Sequence, residues 1–461
     1  MDALVGHAAH AEAVRRLQAS YDAIPAGSTV RLAKPTSNLF RPRRPSASPG
    51  LDVSGLTGVI EVDEVAQTAD VQGMCTYEHL LDVTLARRLM PYVVPQLRTI
   101  TLGGAVSGLG IEATSFRNGL PHESVLEMDV LTGAGQVVTT RPGEPLFDTF
   151  PNSYGSLGYA TRLRIRLEKA PRYVGLRHAR FDDMATLAKS VERIVEDRAY
   201  EGVPVDGVDG VVFAPHEAYL SLATWREEGV SGGSTAPDVT TSDYTGMDMY
   251  FRSLQQRETD LLTIHDYLWR WDTDWFWCSG AFGLHDRRVR RLWPRRWRRS
   301  DVYHRIVGWE NRFGVKARLD HALGRPWRER VVQDVEVPVG RLPDFLAWFD
   351  EHIGMRPVWL CPLRSTRIWP LYPLAPGETY VNVGFWGMAP IEPGAADGDK
   401  NRAIEAKVAE LDGHKSLYSD AYYDRETFDR LYHVSALEAV KSTTDPDGRL
   451  TGLYDKAVRR R

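Results

Sequence analysis

The sequence is short of cysteine and has no long apolar run. Its 461 residues include three cysteines, Cys75, Cys278 and Cys361. They lie far apart with no C-x-x-C pair, which argues against a disulfide framework or a structural zinc site and favours a reducing cytoplasm. No stretch reaches the roughly 18 apolar residues that a transmembrane helix needs. The first turns of the chain carry His7, His10, Glu12, Arg15 and Arg16 and lack the apolar centre of a secretory leader. Membrane contact is therefore expected to be peripheral, at the inner face. No internal repeat is visible, so solenoids and propellers are set aside.

What is present is ordinary globular text, 43% hydrophobic and 26% charged, with a formal net charge of -4 that disfavours nucleic acid as a partner. The length predicts two or three domains. "GVIEVD" and "TADVQGM" read as paired strands, followed by a helix with Leu81, Leu85 and Leu89 on one face, stopped by Pro91. "SVLEMDVLTGAGQVV" alternates and then turns at Gly133 to Gly135. "TRLRIRL" puts Leu163, Ile165 and Leu167 on one face and its arginines on the other. The pattern is α+β and changes near Ala170 to Arg172. Domains are expected at 1–173 and 174–410, with a C-terminal segment at 411–461.

Gly103, Gly104, Gly108 and Gly110 give the spacing GGxxxGxG. Either a backbone concavity for a diphosphate or a tight turn at a sheet corner would use it. Gly108 to Ala113 also fits GxGxxA, but the polar, Gly- and Pro-broken text that follows is no amphipathic helix, so a Rossmann site is rejected. Glu112 stands alone in apolar surroundings. Desolvation there would raise its pKa and fit it as an acid, while bonding to loop amides would make it structural. "DRRVRRLWPRRWRR", Asp286 to Arg299, is expected at the surface, on anionic headgroups or as a solvated helix face. Trp269, Trp271, Trp275, Phe276 and Trp277 form either an apolar mouth or a core segment.

The text "VVPQLRTITLGGAVSGLGIEATSFRNGLPHESVLEMDVLTGAG" with "FPNSYGSLGYATRLRIRL" resembles the flavin domain of the vanillyl-alcohol oxidase and p-cresol methylhydroxylase superfamily. "VVQDVEVPV", "PVWLCPL" and "SLYSDAYYDRETF" extend the likeness to the Δ24-sterol reductase group, which includes actinobacterial methylene-fatty-acyl reductases. The resemblance implies a two-part FAD-binding domain with a central α+β cap. It places noncovalent FAD against Thr101, Leu102, Gly103, Gly104, Ala105, Val106, Ser107, Gly108, Gly110, Ile111 and Glu112. Ser115, Gly119 and His122 follow, and Gly155 and Gly158 close around the adenine half. The family's glycine-rich first phosphate loop is replaced by "RLAKPTSNL", where Lys34, Thr36, Ser37 and Asn38 are the substitutes, and no histidine for covalent attachment is present there.

The same resemblance implies reduction of an isolated C=C bond in a lipid, with NAD(P)H as reductant. That reaction needs a proton donor in dry surroundings. Glu112 is the first candidate. Tyr418 would lie over the flavin or pack in the core, and Lys415 would bond the flavin pyrimidine or stay exposed. The lipid is a Δ24 sterol side chain or a 10-methylene fatty acyl chain supplied by a partner methyltransferase. Arginine-heavy usage resembles actinobacterial proteins, whose lipids rarely include sterols, and favours the acyl chain. An FAD-dependent alcohol or sugar oxidase and a nonenzymatic flavin protein are the alternatives. No metal site is expected.

Overall fold

The computed structural model describes residues 4–34, 40, 50–228, 240–273, 283–313, 327–392, 394–396 and 398–459, with backbone alone over 307–313. Helix α1 (Gly6–Asp22) buries His10, Ala13, Leu17 and Tyr21, the spacing of one helix face. A first antiparallel sheet follows, built from β1 (Val59–Asp63), β2 (Thr68–Gln72), β3 (Leu89–Pro91), β4 (Val125–Leu131), β5 (Val137–Thr140) and β6 (Tyr159–Lys169). Its order is β1-β2-β6-β4-β5, with β3 also on β6. Alternation decides the faces: Leu163, Ile165 and Leu167 of β6 are buried, while Arg164 and Arg166 are exposed.

The helix expected to run to Leu89 is shorter. Thr76 caps helix α2 (Tyr77–Leu85), accepting a hydrogen bond from the His79 amide, and the helix ends four residues before Leu89. Arg88 then takes φ +58°, and Leu89 to Pro91 pair with Leu167 to Lys169 as a strand.

The second sheet begins at Tyr173, close after the first ends at Lys169. Its strands are β7 (Tyr173–Phe181), β10 (Gly207–Ala214), β11 (Glu217–Arg226), β12 (Thr259–Thr263), β13 (Arg328–Pro338), β14 (Val358–Leu363), β15 (Tyr380–Pro390) and β16 (His414–Lys415). A separate hairpin supplies β8 (Ala199–Tyr200) and β9 (Val203–Pro204). The order is β12-β7-β11-β10-β14-β15-β13-β16.

The two faces of this sheet meet different partners. Val331, Val335 and Val337 of β13 pack with Leu187 and Val191 of the helix Met184–Asp197, Phe345 and Phe349 of the helix Leu342–His352, and Ile404 and Val408 of the helix Asp399–Glu410. The opposite face, which holds Val332, Trp359, Cys361 and Trp386, joins the core that contains the first sheet's Val71, Leu163 and Ile165. With a side-chain period of two, Asp334 and Glu336 must share that opposite face.

The arginine run is only partly a surface feature. Arg287, Arg288, Arg291, Arg295 and Arg296 are exposed, but Arg290 and Arg298 are buried. Arg298 donates to the carbonyls of Arg290 at 2.7 Å and Gly246 at 2.8 Å, so it ties the run to the segment around Gly246 rather than facing solvent. Trp269 and Trp271 are core residues; Trp275, Phe276 and Trp277 lie outside the described residues. Among the described residues, no helix is long and apolar enough to cross a membrane.

Candidate active site

A cavity of about 850 Å³ opens between the two sheets, within the roughly 300–1,000 Å³ range of small-molecule sites. The glycine segment forms one wall. Thr101 caps helix α3 (Leu102–Gly108), its Oγ1 accepting from the Gly104 amide at 3.3 Å, so the expected loop is two turns of helix. Leu102, Ala105 and Val106 are buried against the core and hold that helix in place. Glycine is required at 103 because a Cβ there would stand 2.6 Å from the Gly73 carbonyl oxygen. Gly158 (φ +136°) faces the same constraint, 2.4 Å from the Leu131 oxygen.

This packing revises the expected phosphate cradle. The amides of Leu102 and Gly103 donate to the carbonyls of Cys75 and Gly73, each at 2.9 Å, and the Gly104 amide is taken by Thr101. The glycines clear room for neighbouring backbone, and the cations at this cavity are side chains. Arg31, Lys34 and Lys456 line the cavity. Lys34 donates to Thr101 Oγ1 at 3.3 Å and Lys456 to the Tyr154 carbonyl at 3.0 Å. Tyr154 in turn donates its hydroxyl to the Gly108 carbonyl at 2.7 Å, fixing the 150–158 turn to the end of α3. Of the remaining first-loop candidates, Thr36, Ser37 and Asn38 lie outside the described residues. Three cations with an aromatic set of Phe40, Tyr154, Trp359, Trp386 and Tyr418 suit a long dianionic cofactor with a planar ring.

Of the residues proposed from sequence, Thr101, Gly103, Gly104, Ala105, Ser107, Gly108, Gly110, Ile111, Gly155, Gly158 and Tyr418 line the cavity. Leu102 and Val106 face the core instead. Ser115 Oγ accepts the Glu112 amide at 3.0 Å, and Gly119 (φ +70°) makes the turn where the one-turn helix Ser115–Asn118 ends. His122 is buried edge-on to Trp369 at 4.4 Å, and burial pushes its pKa down to about 3, so it is a neutral core ring. None of these five residues lines the cavity.

Lys415 also departs from expectation. It is buried on β16, where its Nζ reaches Glu405 Oε1 at 2.5 Å and the Asp420 carbonyl at 2.6 Å. That pairing anchors the C-terminal segment and leaves the cavity wall to Ser416 and Tyr418.

Glu112 is buried behind the wall formed by Gly110, Ile111, Gln96 and Trp359. Its Oε2 accepts the Ala113 amide at 2.9 Å and lies 3.7 Å from the Arg270 guanidinium. Arg270 is itself engaged by Asp209 at 2.7 Å, and Asp209 also accepts Trp271 Nε1 at 2.8 Å. Burial outweighs Arg270 and pushes the Glu112 carboxyl up to about 7. Gln96, which lines the cavity, is the side chain that draws the Glu112 carboxyl down against burial from that side.

Another part of the wall carries Tyr418, which the sequence singled out, with Trp386 and Asp334, which it did not. Tyr418 Oη accepts Trp386 Nε1 at 2.8 Å, and burial raises the phenol well above its usual range. Because the indole only donates, the Tyr418 proton is left for another acceptor. Asp334 on β13 lines the cavity beside it. The available signal was "VVQDVEV", two acids two residues apart, and so on one face, among valines.

The sequence profile of the FAD binding domain matches residues 37–141. Over 429 residues the chain is 23% identical to the Delta(24)-sterol reductase of Rattus norvegicus, covering 87% of this chain and 76% of that protein. It is 23% identical over 467 residues to the Delta(24)-sterol reductase of Arabidopsis thaliana, covering 89% and 77%. A local match, 35% over 146 residues, joins it to cytokinin dehydrogenase 3 of Oryza sativa subsp. japonica, covering 31% of this chain and 27% of that protein.

Proposed function

We propose that this chain, which carries an FAD-binding domain and falls in the Delta(24)-sterol reductase-like group, is an oxidoreductase that reduces an isolated carbon-carbon double bond in a lipid. FAD is held noncovalently, with NAD(P)H as reductant. The observation that carries the reading is Tyr418, a protonated phenol on an aromatic cavity wall that the cation and glycine lining also shapes. Bound FAD supplies hydride.

The chain's own residues supply the rest. Arg31, Lys34 and Lys456 neutralise the diphosphate, and Gly103 and Gly158 keep the backbone close. Phe40, Trp359 and Trp386 exclude water and orient the apolar chain. An unactivated alkene accepts hydride at one carbon only if the other receives a proton, and Tyr418 Oη is a wall group that holds one. Glu112 lies one layer back and acts on the site through Gln96 and Ile111, as a positioning residue.

The substrate is a Δ24 sterol-like side chain or a 10-methylene fatty acyl chain, the latter made by a methyltransferase. A lipid source fits the exposed surface of the arginine run, where Val289, Leu292 and Trp297 stand out among Arg287, Arg288, Arg291, Arg295 and Arg296. The run is tied to the cavity: Arg299 bonds Glu78 at 2.7 Å and Glu78 bonds Arg98 at 3.2 Å, next to the cavity-lining Leu97.

Anaerobic mixing tests the reading. NADPH or NADH is expected to bleach the flavin absorbance, and micelles of a Δ24 sterol or vesicles with a 10-methylene-octadecanoyl phospholipid to restore it. Oxygen consumption driven by an alcohol or a sugar without nicotinamide would overturn it in favour of an oxidase.

A further inference from the structure

The proton that Tyr418 gives up must be replaced, and a phenol alone is a poor source. Burial raises its pKa, so a phenolate left on this wall would be costly. Relief must come from a neighbour that can pass a proton to Oη as the first one leaves.

Asp334 is placed for that. It sits on β13, half-buried, and lines the same cavity as Tyr418, whose phenol draws the Asp334 carboxyl down against burial. Asn382 Nδ2 donates to its Oδ1 at 3.2 Å from the neighbouring strand β15. The room for it is built in: a Cβ on Gly384, which pairs with Asp334 across the same ladder, would stand 2.5 Å from Asp334 Oδ1 and 2.4 Å from Trp386 Cη2. The Ser416 amide donates to the Asp334 carbonyl at 3.1 Å, which docks the Ser416–Tyr418 segment on this residue. Among the described residues, Tyr418, Glu336 on the same strand, Cys361 on β14 and Tyr372 feel its charge. None is a cation, and burial, only partly offset by Asn382 and Tyr418, pushes the Asp334 carboxyl up to about 7.

We propose that Asp334 is the proton store behind Tyr418, an inference that rests on the alkene-reduction reading. As the Tyr418 O-H bond breaks and its proton forms the new C-H bond at one alkene carbon, the carboxyl O-H of Asp334 breaks and its proton restores the phenol. The hydride for the other carbon would come from bound FAD, and the Asp334 carboxylate is reprotonated from water entering the cavity. The effective acid is then a carboxyl rather than a phenol. Asp334 acts through Tyr418 and is a positioning and relay residue, not the group that touches the alkene.

The test uses full-length protein loaded with FAD, with the two lipid probes named above. Asp334→Asn is expected to keep its flavin content and its bleaching by NADPH while lipid-driven recovery slows about 30-fold. Wild-type recovery should fall as pH rises through about 7, where the Asp334 proton is lost, and D334N should be flat across that window. Infrared spectra of flavin-free wild-type protein should show a protonated carboxyl that titrates there and is missing in D334N. In Tyr418→Phe its midpoint should move upward, because the phenol lowers it. This last arm needs no D334N protein, should that variant not fold. Unchanged recovery and pH profile in D334N, or an unmoved midpoint in Y418F, overturn the relay alone. Wild-type protein that neither lipid reoxidises overturns the alkene-reduction reading itself.

Discussion

Two carboxylate clusters, one on each sheet, are treated in opposite ways. On the first, Arg162 binds Asp70 at 2.5 Å, Asp129 at 2.6 Å and Glu127, and Arg164 adds a second bond to Asp70 at 2.6 Å. The Arg162 hydrogen bonds hold Glu127 below the usual carboxylate range, and against the pull of burial they do the same for Asp129. On the second, Asp334 and Glu336 face the cavity side with amides and hydroxyls for company: Asn382 for one, the Ser416 hydroxyl at 2.8 Å for the other. Burial pushes both upward. Ionised, paired carboxylates hold a sheet together, whereas protonated ones keep something to give away.

Substitutions can break this contrast from either side. The largest effect is expected for Tyr418→Phe, which should slow lipid reduction about 1,000-fold, within the usual range for a lost general acid, and leave NADPH bleaching intact; stopped-flow absorbance measures both. Arg162→Ala should do the reverse. It leaves the half-buried Asp129 without a cation and takes one of two from Asp70 and Glu127, costing about 3 kcal/mol in denaturant unfolding, with lipid reduction per folded molecule unchanged.

The same contrast recurs inside the arginine run. Arg299 is paired with Glu78 and Asp301, and Arg295 with Asp243 at 2.8 Å, while Arg287, Arg288 and Arg291 are exposed with no ion pair to a described residue. Changing those three to Gln should weaken sedimentation with anionic vesicles by about 2 kcal/mol and leave neutral vesicles unaffected. A smaller effect is expected at Glu112→Gln, which removes a charge behind the wall: flavin stays bound and lipid reduction falls by about tenfold or less. A loss as large as that of Y418F would move Glu112 to the reacting carbon.

Much of this was written in local text. The β1-β2 pair, the turn at Gly133 to Gly135 and the inward row of β6 follow from alternation and turn residues. The end of α2 was not, because Leu81, Leu85 and Leu89 keep helical spacing while Arg88 leaves the helical region. The helix over Leu102 to Gly108 was hidden by its glycines, poor helix formers that are placed there by Thr101 and the Gly73 carbonyl. Lys415 looked like a free cation until Glu405, ten residues earlier, was brought onto it. Asp334 reads as one polar residue in a strand; only Gly384, Trp386 and the returning Tyr418, from distant parts of the chain, make it a cavity group.

Isotope placement tests the central claim most directly. FAD-loaded protein is reduced with NADPH carrying deuterium at the transferable C4 position, or with NADPH in deuterated water, and then given the Δ24 sterol or the 10-methylene-octadecanoyl phospholipid. Hydride and proton delivery to opposite ends of one bond predicts a saturated product with solvent deuterium at one former alkene carbon, and Tyr418→Phe should slow its formation. An intact alkene with both lipids, or a saturated product without solvent deuterium at either carbon, would contradict it.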